Sequence, residues 1–460
     1  MQKKLVLAVI DGLTPEALEQ GLAEGRLPAL GALREAGTYT RATTTFPSVT
    51  PVCLTSIATG AHPDVHHIPH LVWYHRGEGR LVEYGSSFAA MRAVGARRSI
   101  RDSIFNMNHA HLSPGATTVF EALDDAGLVP GAINFTCYRG RTRHPIRLPA
   151  LARRNRWYEA AYGPQRFFFF NLFESDVTGA PLAVRSRLDG SIDAYAAAVG
   201  RWLVTRDGFD FLVFYLPDYD YAAHVAGPGG APAALERSDA CLGALLDAAG
   251  GPDEFLERYA VLVCSDHGQS GVDRAAVLQD VFADPGLLVA ASNRAGMIYR
   301  LAESAPSPRR LAERLDEEPS ADIVLFREGE DAVARRAGNE LRFRLVDGDW
   351  ELAGDALVLD PRLYPNALER AWCALACPNA GEVLVSATEG WEFADLGGRH
   401  HAGGGSHGSL TSGDSTVPLL AAGFEEELIP EDASVTDLAP LVLEHFGVEA
   451  PHSMRARVRA

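Results

Sequence analysis

Residues 46–68 read FPSVTPVCLTSIATGAHPDVHHI, and we expect the rest of the chain to be organised around this stretch. Pro51 suits the first position of a helix, and Gly60 suits the left-handed residue that ends one. The pattern therefore predicts a short apolar helix with Thr50 as its N-cap. In one interpretation the Thr50 hydroxyl only caps this helix. In the other it is a nucleophile, because a helix N-terminus favours a developing alkoxide and a bound phosphate.

The composition of the chain limits its class and its partners. With 460 residues, 47% hydrophobic and 22% charged, it is typical of a soluble globular protein with several domains or one core with insertions. A net charge of -18 argues against general affinity for nucleic acid or an anionic membrane. Asp11 interrupts the amino-terminal apolar run, and no stretch approaches membrane-span length, so we expect a cytoplasmic protein. The six cysteines are scattered and predict buried thiols rather than a disulfide framework.

Alternating strand and helix patterns predict an α/β fold with a largely parallel central sheet covered on both faces. Strands are expected at 5–10, 131–137, 209–216, 259–264 and 417–422, and helices at 14–36, 119–127, 181–204, 231–249 and 435–446. Residues 69–115 predict a loop-rich excursion over the sheet edge. Short strands and one helix predict a small inserted α+β subdomain at 288–359, which leaves 1–287 and 360–460 as the core. The core alternation resumes with a strand at 382–386.

Four short motifs lie at the expected carboxyl edge of this sheet, where open α/β folds place their active sites. Asp220 and His224 are four residues apart, so one helical turn puts both side chains on the same side. Taken singly, each motif has an ordinary interpretation as a turn, a surface hydrogen bond or a flexible loop. Together they supply three aspartates and three histidines: Asp11, Asp220, His224, Asp266, His267 and His407. Such oxygen and nitrogen ligands suit two divalent ions such as zinc, with manganese or iron as alternatives, an arrangement used in phosphoryl transfer.

Seven arginines and no acidic residue occur between residues 139 and 156. In so acidic a chain, Arg139 and Arg141 are candidates to clamp an anionic substrate. The alternative interpretation is a solvated surface loop that pairs with acidic helices.

Five motifs occur in a set order along the chain: VIDG at 9–12, TFP…TG at 45–60, DxxxHxxGP at 220–228, SDHG at 265–268 and SHG at 406–408. As a set they resemble the alkaline phosphatase superfamily, specifically its nucleotide pyrophosphatase/phosphodiesterase branch. The resemblance implies a three-layer core and hydrolysis of a phosphodiester or nucleotide pyrophosphate by two metals, with Thr50 as a nucleophile that also touches the second metal. It implies one zinc on Asp220, His224 and His407, and the other on Asp11, Asp266 and His267.

One position departs from the pattern of that branch. The branch carries an asparagine after the His-Gly-Ile segment to hold a non-bridging phosphate oxygen, whereas Leu71 stands there in this chain. We predict that the adjacent His70 replaces this donor. No Cys-x-Pro-x-Arg sequence is present, so a sulfatase-type nucleophile is not expected.

The expected substrate is a small phosphate ester or nucleotide, with no membrane partner. Two alternatives remain open: a phosphomonoesterase or phosphomutase of the same superfamily, and a catalytically silent phosphate- or nucleotide-binding protein. Trp73 and Tyr74 either stack a base or fill the core.

Overall fold

The computed structural model describes residues 2–145, 160–169, 173–175, 191–282, 284–424 and 428–454. Its centre is an eight-stranded sheet with the strand order Gly37–Thr43, Thr416–Ala422, Tyr259–Cys264, Lys4–Ile10, Phe211–Leu216, Pro130–Ile133, Arg166–Phe169 and Phe173–Ser175. Four neighbouring pairs in the middle of this order are parallel, and they join the five strands Tyr259–Cys264, Lys4–Ile10, Phe211–Leu216, Pro130–Ile133 and Arg166–Phe169. The remaining three are antiparallel. The predicted α/β fold with a largely parallel sheet is confirmed.

The strand Lys4–Ile10 shows why this sheet is covered on both faces. From Leu5 to Ile10 every residue is buried. Leu5, Leu7 and Val9 pack into one hydrophobic core, whereas the alternating residues Val6, Ala8 and Ile10 pack into another. A strand with two buried faces is a continuous apolar run, and the first polar residue after it, Asp11, emerges at the carboxyl edge of the sheet.

The helices cover this sheet and the one described next. Their bounds are Pro15–Ala23, Pro28–Glu35, Thr50–Thr59, Pro63–His66, Phe88–Val94, Ala96–Arg101, Val119–Asp125, Ile192–Val204, Asp218–Ala226, Pro232–Ala249, Pro252–Arg258, Pro308–Asp316, Ala367–Ala376, Ser412–Ser415 and Leu438–His445. The single helix expected at 14–36 is two helices, because Gly25 adopts a left-handed φ of 66° and Pro28 begins a new helix. The helix expected at 181–204 is described from Ile192, and residues 181–190 lie outside the described ranges. Across those ranges, no helix combines the length and the apolar character that crossing a bilayer requires.

A second, antiparallel sheet has seven strands in the order Leu287–Ser292, Ala295–Arg300, Val383–Ala387, Ala321–Glu328, Asp331–Arg336, Asn339–Val346 and Asp349–Gly354. Six of them come from residues 287–354, close to the predicted insertion. The seventh, Val383–Ala387, was expected in the resumed core but pairs here instead. All five of its residues are buried, and an apolar run of this kind fits a central position in either sheet.

The segment 69–115 contains more regular structure than the predicted loop-rich excursion. It forms a hairpin, Val72–His75 with Arg80–Glu83, two short helices, and the π-helix Asp102–His111. Trp73 is fully buried in this hairpin, and Tyr74 packs edge-on against Tyr299. Of the two roles considered for these rings, the structure shows core packing. The elements are too short to produce a readable hydrophobic period.

Candidate functional site

Thr50 is the first residue of the helix Thr50–Thr59, and Val49 occupies the N-cap position. The predicted capping role is therefore wrong, since no side-chain capping bond forms among the described residues at this helix end. Instead, Thr50 Oγ1 lies 3.1 Å from Nε2 of His267. Gly60 ends the helix with a left-handed φ of 56°, as predicted. The threonine hydroxyl is thus held at the helix N-terminus and faces one of the predicted metal ligands.

A first cluster of potential ligands consists of Asp11, Asp266 and His267, which follow two adjacent parallel strands. His267 Nε2 lies 3.3 Å from Asp11 Oδ1 and 3.4 Å from Asp266 Oδ2. The ring is oriented by its other nitrogen, since Nδ1 lies 2.9 Å from the carbonyl oxygen of Gly268. Asp11 Oδ1 and Asp266 Oδ2 are buried oxygens that find no hydrogen-bond partner within the described part of the chain. Buried carboxylate oxygens without donors fit a cation between them.

A second cluster adjoins the first. Asp220 and His224 lie one turn apart on the helix Asp218–Ala226, with Asp220 Oδ2 3.2 Å from His224 Nε2. His407 Nδ1 lies 2.8 Å from the carbonyl oxygen of Ser48, which turns Nε2 towards the site. Ligand atoms of Asp220, His267 and His407 all lie within 4.8 Å of one another. The His267 and His407 rings stack with centroids 3.6 Å apart, so the two clusters are contiguous.

The charges of these groups depend strongly on burial. Burial, reinforced by the neighbouring carboxylates, raises the pKa of Asp11 well above its ordinary value and that of Asp266 to about 7. Burial opposes protonation of His224, but the Asp220 carboxylate outweighs it and raises the His224 pKa to about 9. Burial and the neighbouring His267 lower the pKa of His407. Three carboxylates crowded into a buried site are favourable only with compensating positive charge, which divalent ions supply.

A cavity of about 400 Å³ opens beside Thr50 and both clusters. Part of its wall is apolar or aromatic, formed by Pro51, Leu71, Tyr84, Met107, Tyr215 and Tyr221. Leu71 occupies the position at which the nucleotide pyrophosphatase/phosphodiesterase branch carries its asparagine. It therefore contributes an apolar side chain to the cavity wall at that position. The cavity offers polar groups at the two clusters and an apolar surface for an organic substituent.

Asn293 is a site residue that the sequence motifs do not predict. It lies in the tight turn between Leu287–Ser292 and Ala295–Arg300, has a left-handed φ of 57°, and lines the cavity. Its Oδ1 accepts a hydrogen bond of 2.8 Å from Ser292 Oγ, which turns Nδ2 towards His407 Nε2 at 3.2 Å. Its only sequence signal is an asparagine between two apolar runs, which predicts a hairpin turn but not where that turn lies.

The predicted substrate-binding residues are not brought to the cavity. His70 is fully buried, its Nδ1 accepts a hydrogen bond of 3.1 Å from the backbone N–H of Val72, and it is absent from the cavity wall that the described residues form.

Arg139 and Arg141 instead pair with acidic side chains of the helix Val119–Asp125. Arg139 Nη2 lies 3.1 Å from Glu121 Oε2, and Arg141 Nη2 lies 2.9 Å from Asp125 Oδ2. This is the alternative considered from the sequence, in which the arginines pair with an acidic helix. The arginines at 147, 153, 154 and 156 lie outside the described residues.

Comparison with known proteins gives a family match and several structures with the same fold. The family model described as type I phosphodiesterase / nucleotide pyrophosphatase matches residues 5–410. The structure of phosphonoacetate hydrolase from Sinorhizobium meliloti in complex with phosphonoformate is 19% identical, with a TM-score of 0.63 over 96% of each chain.

Murine ectonucleotide pyrophosphatase/phosphodiesterase 5, an inactive variant in complex with AMP, is 13% identical, with a TM-score of 0.61 over 98% of this chain and 96% of that one. The human protein of the same name is 15% identical, with a TM-score of 0.62 over 98% and 96%. None of the curated proteins matches by sequence. At these identities the structures show a shared fold.

Proposed function

The chain belongs to the type I phosphodiesterase / nucleotide pyrophosphatase family and is a hydrolase of the alkaline phosphatase superfamily, and on this premise we propose its reaction and its catalytic residues. The substrate is a phosphodiester or a nucleotide pyrophosphate, Thr50 is the nucleophile, and two divalent ions, zinc or alternatively manganese, bind beside it. The observation that carries this proposal is the 3.1 Å approach of Thr50 Oγ1 to His267 Nε2, the nitrogen that faces the carboxylates of Asp11 and Asp266.

The metal ligands divide as the two clusters suggest. Asp11, Asp266 and His267 would hold the ion next to Thr50, and Asp220, His224 and His407 the other. When bound, the ions would lower the pKa of the threonine hydroxyl and stabilise the charge on the leaving oxygen. Asp11 Oδ1 and Asp266 Oδ2 support this assignment, because these buried oxygens lack a hydrogen-bond donor in the described part of the chain and a cation would compensate their charge.

The protein residues then carry two in-line displacements. Thr50 Oγ1 loses its proton to solvent and bonds to phosphorus, while the bond from phosphorus to the leaving oxygen breaks and that oxygen takes up a proton. Water attacks phosphorus in the resulting threonine phosphodiester, which is a nucleotidyl-threonine when the substrate is a nucleotide. The bond from phosphorus to Thr50 Oγ1 breaks, and Oγ1 takes up the proton that the water releases. The position of Thr50 at a helix N-terminus favours the anionic form of each reacting oxygen.

Asn293 takes the role that we predicted for His70. Because Ser292 donates to its Oδ1, the amide presents Nδ2 as a donor towards His407 and the cavity. An N–H of Asn293 now faces the lone pair of His407 Nε2. A metal bound to Nε2 would use that lone pair, and the N–H would then be free to donate to a non-bridging phosphate oxygen. A neutral amide suits this task because it donates to the phosphate without adding charge to the ligand cluster.

Two solved relatives support a small phosphorus-containing anion as substrate. One structure is a complex with phosphonoacetate and another is a complex with AMP. The apolar wall of the cavity indicates that the substrate carries an organic group. This favours a diester over inorganic pyrophosphate as the substrate. The cytoplasmic location expected from the sequence stays a prediction.

The proposal is tested by initial rates on bis(p-nitrophenyl) phosphate and on p-nitrophenyl phosphate, with zinc or manganese added to metal-stripped protein. We expect a preference for the diester. A strong preference for the monoester would replace this proposal with a phosphomonoesterase or phosphomutase, and inactivity on both with bound metal would favour the silent binding protein.

The nucleophile is tested separately by Thr50→Ala, with Thr55→Ala as a matched control on the same helix. Thr55 Oγ1 donates to the carbonyl oxygen of Pro51 and is fully buried. We expect Thr50→Ala to lose at least about a thousandfold in kcat and to retain its metals, as removal of a covalent nucleophile does. A Thr50→Ala protein as active as the parent would refute the assignment.

A further inference from the structure

A second group of potential metal ligands lies apart from the two clusters beside Thr50. The turn of the hairpin Val72–His75 with Arg80–Glu83 meets the end of the π-helix Asp102–His111 and brings together His75, Glu78 and His111. One ligand atom of each lies within 4.8 Å of the others. We propose that these three side chains form a further binding site for a divalent transition ion, zinc by preference, since two imidazoles and one carboxylate are a zinc ligand set.

His111 supplies the strongest observation. Its side chain is only 4% exposed, and its Nδ1 lies 2.8 Å from the hydroxyl oxygen of Tyr84. Its Nε2 is buried and forms no hydrogen bond within the described ranges. Burial lowers its pKa to about 4, so the ring is neutral at neutral pH. In the tautomer whose Nδ1–H donates to the Tyr84 oxygen, the neutral ring has a free lone pair on Nε2, and this is the form that binds a metal.

Glu78 and His75 can complete the ligand set by small rotations. Glu78 Oε2 lies 2.5 Å from Arg80 Nε, whereas Oε1 faces His75 Nε2 at 3.8 Å. These side chains are 45% and 25% exposed. Tetrahedral zinc with bonds of about 2.1 Å needs ligand atoms roughly 3.4 Å apart, so a modest inward movement suffices. His75 would give up the hydrogen bond that its Nδ1 accepts from the Glu78 N–H, because that nitrogen would then carry the proton.

The surrounding charges permit a cation. Arg80 is the nearest positive group, but its Nη1 also lies 2.5 Å from Oδ2 of the fully buried Asp102. Asp102 and Glu78 share the single guanidinium charge, which leaves one net negative charge beside the two histidines. Two imidazole rings and one net negative charge therefore face the incoming ion, and the exposed side of Glu78 leaves room for a water as fourth ligand.

Tyr84 connects this site to the Thr50 cavity, since its side chain lines that cavity and contacts His111. With the metal on His111 Nε2, Nδ1–H donates to the Tyr84 oxygen, and the Tyr84 O–H becomes available to the cavity. The hairpin ion would thereby orient a hydroxyl group in the wall beside the substrate.

The test counts zinc in the full chain. Metal-stripped protein is titrated with zinc, dialysed, and analysed for bound zinc per chain. We expect His75→Ala and Glu78→Gln each to bind about one equivalent less than the parent. His109→Ala, a change on the same π-helix outside the cluster, should bind the parental amount. Both test positions are partly exposed, so these variants should fold, which circular dichroism checks. An unchanged zinc content in both would overturn the site.

A second measurement separates this site from the catalytic one. Asp266→Asn should lose hydrolysis and zinc from the Thr50 clusters but keep the equivalent that His75→Ala removes. Cobalt replaces zinc as a spectroscopic probe in the parent and in His75→Ala. The absorption spectrum of the parent minus that of His75→Ala should show a cobalt ion with nitrogen and oxygen ligands. A flat difference spectrum would refute the hairpin site whatever the hydrolytic rates are, whereas an inactive parent with this difference intact would refute only the proposed function.

Discussion

Replacement of Asn293 by glycine removes the amide that we assign to the phosphate oxygen and leaves the backbone unstrained. Asn293 has a φ of 57°, a conformation that costs an alanine about 1–2 kcal/mol but costs glycine nothing. Asn293→Gly therefore deletes the donor without penalising the turn between the strands Leu287–Ser292 and Ala295–Arg300. Any loss of activity then reports on the side chain rather than on a displaced hairpin.

The size of the loss follows from one hydrogen bond to a charged group, which contributes about 1.5–3 kcal/mol. Since about 1.4 kcal/mol corresponds to a tenfold change in rate, kcat/KM should fall by about 10- to 150-fold. Ser292→Ala is the graded control, because it removes the hydroxyl that orients the amide but leaves Nδ2 in place. We expect its effect to be smaller, within about tenfold of the parent.

The assay is steady-state hydrolysis of bis(p-nitrophenyl) phosphate by zinc-loaded protein, with bound zinc measured for each variant. Because Asn293 Nδ2 lies 3.2 Å from His407 Nε2, a change in metal content would confuse the comparison and must be excluded. An Asn293→Gly protein with parental zinc content and kcat/KM within twofold of the parent would refute the assigned role.

Three further predictions concern stability and metals. Arg139→Ala should lower the free energy of unfolding by about 3 kcal/mol in urea titrations, because it removes a mostly buried guanidinium that pairs with Glu121 and donates to the carbonyl oxygens of Ser113 and Ala116. The half-exposed Arg141 also pairs with Glu121, and Arg141→Ala should change the free energy of unfolding by less than about 1 kcal/mol. Neither should change KM, and a raised KM would restore the substrate-clamp hypothesis. In metal-free protein, the raised pKa values of Asp266, about 7, and His224, about 9, stabilise the fold only while these groups are protonated. Its Tm should therefore fall from pH 7 to pH 9, above the range in which His407 and His111, whose pKa values burial lowers, add stability as the pH rises. A rising Tm in this range would contradict the prediction. Zinc should raise Tm more at pH 8 than at pH 5, because ligation requires deprotonated aspartates and neutral histidines, and calorimetry with and without a chelator measures the difference.

Much of the candidate site could be predicted from the sequence because its determinants are local. A buried strand ends where its apolar run ends, so Asp11 and Asp266 were predictable at the carboxyl edge of one sheet. Asp220 and His224 were predictable as neighbours, because the helical period brings residues four apart together. The αL residue Gly60 followed from glycine's freedom at positive φ.

Tertiary structure decided what depends on which distant segments meet. An arginine carries the same charge whether it faces a substrate or the helix Val119–Asp125, and only packing showed that Arg139 and Arg141 pair with that helix. His70 precedes Leu71 in the chain, yet the backbone turn buries one side chain and directs the other into the cavity.

Asn293 reaches the site only because the second sheet packs its turn against His407, 114 residues away. The amino-acid sequence by itself thus determined the strand ends, the helical spacing and the ligand types, which short-range sterics and hydrophobic period control. Long-range burial and charge pairing, which no local pattern encodes, decided which polar side chains line the cavity beside Thr50.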